Sequence, residues 1–148
     1  MVNPFDLRTV LLAKHAQHVV LIHFPIALFI TGVGLDLLSR GKRESQLAGA
    51  AYLNISIAAA MVIPTVLTGI AAWQFALDGE KLKGLLLFHV VAAGMAATLV
   101  IASWWVHWRS RKSGSRIIPR LRIPVELLGL VAIGLTAHLG GFLTGVNS

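Results

Sequence analysis

Apolar positions in this chain do not alternate with polar ones; they run on without a break. Four stretches, about 19–38, 47–77, 84–108 and 124–146, are apolar on every side and are separated by short polar segments. A helix rises about 1.5 Å per residue, so roughly 20 residues cross about 30 Å of hydrocarbon. Each stretch reaches that length, and none shows the period-two alternation of a barrel strand. The pattern predicts an all-α integral membrane protein, a four-helix bundle forming a single transmembrane domain over residues 1–148. Pro64 falls near the middle of the second stretch. That span is expected to be one tilted helix or a helix kinked there, because proline removes a donor and crowds the preceding turn. No cleavable signal peptide is expected, since the first apolar stretch starts late and ends in Asp36-Leu37-Leu38-Ser39-Arg40.

Composition supports the membrane assignment. Hydrophobic residues make up 56% and charged residues 13%, against about 25% charged in soluble domains. An ordinary soluble domain and a disordered chain are both excluded. The net charge of +7 invites a nucleic-acid reading, but the basic residues lie in the segments flanking the spans. The expected partner is therefore the lipid bilayer and not nucleic acid. Orientation follows from where lysine and arginine collect. Arg40, Lys42, Arg43, Arg109, Arg111, Lys112, Arg116, Arg120 and Arg122 flank the two loops on one side; Arg8, Lys14, Lys81 and Lys83 lie on the other. The richer side is expected to be cytoplasmic, which puts both termini on the outer, periplasmic side of a bacterial inner membrane. Trp104, Trp105 and Trp108 fall where the third span meets that basic side, as an interfacial aromatic belt does.

The chain has no cysteine, which rules out disulfides, thiolate metal sites, iron–sulfur clusters and thioether-attached haem. It has six histidines, at 15, 18, 23, 89, 107 and 138. His15 and His107 lie near opposite interfaces and are expected to be solvated. The others differ. Counted from the outer ends of their spans, His23 is about 10 Å deep, His89 about 9 Å and His138 about 12 Å. Three helices thus put an imidazole at one depth, with His18 about 7 Å nearer the rim. Polar groups in hydrocarbon are costly unless partnered, and ionisable residues there tend to face a bundle interior and mark a site. Gly134, Gly141 and Gly145 share the face of His138, and Ala93, Ala96 and Ala97 that of His89. Such small residues allow close helix packing or leave room for a flat macrocycle. Pro25 frees the carbonyl of Leu21, a candidate holder for a nearby imidazole N–H. Asp36 is expected to reach the interface or to pair with Arg40, four residues on.

The segment His18-Val-Val-Leu-Ile-His23-Phe24-Pro25-Ile26-Ala27-Leu28, with Asp36 beyond it, resembles the opening signature of a bacterial membrane-protein family catalogued as domain of unknown function 2231. The likeness continues at His89 and at His138-Leu139-Gly140-Gly141-Phe142-Leu143, and covers roughly residues 15 to 146. It implies a four-span protein. Fusion of some relatives to Rieske-type iron–sulfur domains implies an electron-transfer setting.

The leading functional expectation is a small membrane b-type cytochrome. Imidazole supplies axial haem ligands without cysteine, and residues on facing helices of a bundle can hold a cofactor between them. His23 and His89 form the preferred axial pair; His138 can replace either, and His18 can serve a second site or a propionate. Lys14, Lys81 and Lys83 stand at the same rim for propionates. Electrons would pass between a quinol or partner protein and an acceptor outside. One alternative is a copper or zinc site made from three of His18, His23, His89 and His138. Another is a ligand-free subunit or assembly factor of a larger membrane complex. No Ser-His-Asp or HExxH arrangement stands out, so an electron-transfer protein or subunit is favoured over a stand-alone enzyme.

Overall fold

The computed structural model describes residues 14–42, 45–112 and 117–144. Over them the chain forms four long helices: α1 (Lys14–Lys42), α2 (Ser45–Ala76), α3 (Gly84–Lys112) and α4 (Ile117–Leu143). Each contains a window long and apolar enough to cross a membrane: Gln17–Arg40, Gln46–Ala76, Gly84–Lys112 and Arg120–Leu143. The helices pack as two tight hairpins, α1 on α2 and α3 on α4. Lighter contacts of α2 with α3 and of α1 with α4 close the bundle. α1 and α3 therefore stand on one diagonal. Residue 14, residue 144 and the α2–α3 turn share one end, which carries most of the histidines. The other end, where α1 and α3 finish, is basic.

The packing is that of a membrane bundle rather than of a water-soluble one. Large apolar residues cover the outside, among them Phe75, Phe88, Ile63 and Val131, each more than 60% exposed. In lipid this exposure costs nothing, because acyl chains are as apolar as the side chains; association rests on close packing instead. Gly32 provides it on α1, where an added Cβ would come within 2.7 Å of Ile55 on α2. At Gly129 on α4 a Cβ would lie 2.8 Å from the Phe29 ring. Phe29 is fully buried and occupies the centre with Val33, Ile55, Ala58, Val100 and Ile133.

The prolines resolve the open boundaries. α2 runs unbroken through Pro64, and the nearby hydroxyls of Thr65 and Thr68 donate to the Met61 and Pro64 carbonyls. α4 begins at Ile117, seven residues before the expected start of the fourth span at 124. Pro119 sits in its first turn, where its missing N–H would have had no helical partner. That early start winds Arg120 and Arg122 into the helix instead of leaving them in a loop. The α2–α3 turn is built on left-handed backbone at Asp78 and Gly79, and is tied down by Trp73 Nε1 donating to the Glu80 carbonyl at 2.8 Å. Arg8, Arg43, Arg116, Gly145 and Val146, together with the side chains of Lys14 and His15, lie outside the described residues.

Candidate functional site

The histidine end is assembled from all four helices. His18 leans from α1 onto α2, its Nδ1 3.3 Å from Thr68 Oγ1. A Cβ at Gly69 would come within 3.0 Å of this ring, so the glycine makes its seat. His89 crosses from α3 to α4, Nδ1 donating to the Thr136 carbonyl at 3.2 Å, with Gly140 beside the ring in the same manner. His23 is exposed on α1 and donates from Nδ1 to the Val19 carbonyl of its own preceding turn at 2.7 Å. The carbonyl is thus Val19's and not the Leu21 oxygen that Pro25 frees. His138 is exposed on α4, edge-on to Phe142 with centroids 5.0 Å apart.

These contacts fix tautomers. A carbonyl oxygen can only accept, so Nδ1 of His23 and of His89 carries the hydrogen. Thr68 already donates its hydroxyl hydrogen to the Pro64 or Thr65 carbonyl, so its oxygen accepts from His18. In the neutral rings of His23 and His89 Nε2 is then the basic nitrogen, the state that metal-binding imidazoles adopt when their other nitrogen is held by an oxygen. Two glycines at this end, Gly69 and Gly140, are filled by imidazole, whereas Gly134 faces open space. The four histidines do not converge as a group of three: among the described residues, the three ligand-type side chains found with their ligand atoms within 4.8 Å of one another are Asp36, His107 and Glu126, at the opposite end.

That basic-end cluster corrects the expectation for His107. Far from being solvated, it is 2% exposed, because α4 starts early enough to cover it. Nε2 of His107 bonds Glu126 Oε1 at 2.5 Å. Arg122 donates from Nη2 to His107 Nδ1 at 3.1 Å and to Asp36 Oδ1. Arg40 donates from Nε to Asp36 Oδ2 at 3.0 Å, as the spacing predicts. Asp36 and Glu126 are fully buried. Sequence reasoning missed Glu126 and the reach of Arg122. Their signal was present: the pairs Asp36/Arg40, Ser103/His107 and Arg122/Glu126 are each four apart, hence on one helix face, at similar depths from the basic end of three helices. Around the rim, Arg111 lies over Tyr52, Lys112 over Trp108 and Arg109 over Trp105, at 4.3, 4.7 and 5.8 Å from the ring centroids. Such stacking holds cations over the aromatic rings of the basic end.

With both ends described, the comparison with known families is decisive for kinship. The family described as "Predicted membrane protein (DUF2231)" matches residues 14–146, nearly the whole chain. The protein belongs to the DUF2231 family. It is accordingly a multi-pass membrane protein, and the four membrane-length helices agree with that description. Among curated proteins and among solved structures, none matches this DUF2231 chain.

Proposed function

We propose that this protein is a small b-type cytochrome of a bacterial inner membrane, holding haem through the histidines of one end and exchanging electrons with a quinol or a partner protein. The single observation behind the reading is the shared state of His23 and His89: Nδ1 donating to a carbonyl, Nε2 basic. Two further features support it. His23, His89 and His138 come from three separate helices at the histidine end, and ionisable residues within a membrane tend to mark a site. The donor set is imidazole alone, which suits an axially ligated haem iron.

His23 and His89 remain the preferred ligands, from the two helices on one diagonal, with His138 and His18 as the neighbouring imidazoles. Lys81 and Lys83 stand exposed at the same end, with charge suited to propionates. Bound haem would supply one-electron chemistry at its iron. The chain's own part is to present Nε2, to keep water from the site with its apolar helices, and to fix each ring through an oxygen. The positive-inside bias supports a reading with this end outside and the basic end in the cytoplasm.

A specific observation favours a second reading. His18 in the notch at Gly69 and His89 in the notch at Gly140 also staple helix to helix, as a ligand-free subunit of a larger complex would use them. Haemin titration into the purified full chain in mild detergent separates the two. The cytochrome reading predicts saturable binding with a Soret shift, weakened at least tenfold in H23A and H89A. Absence of saturable binding in the parent chain overturns it in favour of the ligand-free subunit.

A further inference from the structure

Glu126 Oε1 is held by His107, but Oε2 has no hydrogen-bond partner although it is fully buried. The hydroxyl of Ser103, also fully buried, is unpartnered too. Arg122 Nε, on the residue four before Glu126 in α4, is the third such atom, so the guanidinium leaves Oε2 an open acceptor rather than answering it. Inside the apolar shell two carboxylates, Asp36 and Glu126, face one guanidinium, Arg122. Arg40 answers Asp36 from the rim, its side chain 37% exposed. From α2 the titratable residue in this half is Tyr52, whose ring is covered by Arg111 of α3.

We infer that Glu126 is a reversible proton-binding site within the membrane, loaded at Oε2 and reached from the basic end. The hydrogen-bond pattern says where the proton goes. Arg122 Nη2 donates to His107 Nδ1, so that nitrogen carries no hydrogen, and the ring hydrogen is on Nε2, donated to Glu126 Oε1. An added proton on Nδ1 would set N–H against N–H. A proton on Oε2 disturbs neither bond: one O–H bond forms, Glu126 becomes neutral, and the Nε2–H to Oε1 bond stays. The proton comes from water at the basic face, where the Arg122 and Arg40 side chains are 19% and 37% exposed. A metal ion is the rival occupant, since Asp36, His107 and Glu126 have the ligand spacing. Arg122 Nη2 already bridges Asp36 to His107 Nδ1, however, and thereby acts as the resident cation. A buried carboxyl that takes up and releases a proton is the working part of intramembrane proton relays. This assignment is independent of haem, which would lie at the other end.

The test is pH-difference infrared spectroscopy of the full chain in lipid nanodiscs. Six acidic side chains contribute carboxyl signals besides the terminal carboxyl. The expected result is a carbonyl band of a protonated, apolar-environment carboxylic acid, shifted by deuteration and lost in E126Q. E126Q keeps an acceptor for His107 and is expected to fold, as judged by helical circular dichroism. Should it fail to fold, E126D serves instead, with a shifted band expected. No such band at any pH at which the chain is folded, or a band unchanged in E126Q or E126D, overturns the inference. Stoichiometric binding of zinc or manganese in equilibrium dialysis, lost in E126Q, overturns it in favour of an ion site.

Discussion

Arg122 offers the sharpest test of how the basic end is held together. Its Nη2 serves Asp36 and His107 at once, from a helix that would otherwise touch α1 only lightly. Arg122→Met keeps much of the stem volume and removes the charge. Stripping one partner from a buried ion pair costs about 3–5 kcal/mol. Here the lower end applies, because Arg40 retains Asp36 Oδ2 and the Arg122 side chain is itself 19% exposed. The orphaned His107 Nδ1 adds about 1–3 kcal/mol. A loss of about 4–6 kcal/mol is therefore expected, roughly a thousandfold or more in the folding equilibrium. Combining Arg122→Met with Asp36→Asn removes both charges and leaves chiefly the His107 cost, so the double variant should be more stable than Arg122→Met alone. Unfolding in mixed detergent micelles, followed by circular dichroism, measures all members of the cycle. An Arg122→Met protein within about 0.5 kcal/mol of the parent, the range of inconsequential surface changes, would refute the reasoning. So would a double variant whose loss equals the sum of the singles, since interacting residues must couple.

Two further outcomes are expected. Gly129→Ala places a Cβ 2.8 Å from the fully buried Phe29 ring and should cost about 1–3 kcal/mol by overpacking; Phe29→Leu should relieve part of that in a double variant, as read by the same unfolding assay. In a chain without native cysteine, Glu80→Cys should react with a membrane-impermeant thiol reagent in spheroplasts, while Lys112→Cys should react only after permeabilisation; the reverse pattern would invert the assigned orientation.

The four spans were legible because an uninterrupted apolar run of membrane length has few other uses. The same property hid the inside of the bundle. Helices apolar all round carry no marked face, so nothing in the pattern told which side of α1 or α4 turns inward. The exposure of His23 and His138, and the seating of His18 against Gly69, had to come from packing. The start of α4 was misjudged because prolines and arginines read as loop, although a first-turn proline suits a helix. That misjudgement concealed the charged cluster. With Arg122 left in a loop, its reach to His107 was hidden, and His107 was expected to be solvated from its place near the interface. Asp36 with Arg40 was found because both residues lie on one helix; the bonds from Arg122 to Asp36 and His107 required knowing that α4 passes beside both.

The measurement closest to the central proposal is the reduced-minus-oxidised optical spectrum of the full chain, purified from a haem-replete host in mild detergent. A b-type cytochrome gives a sharp reduced α band with its Soret partner, diminished or lost in His23→Ala and His89→Ala. A colourless parent protein, folded and helical, would contradict the haem assignment and leave the imidazoles as staples between helices.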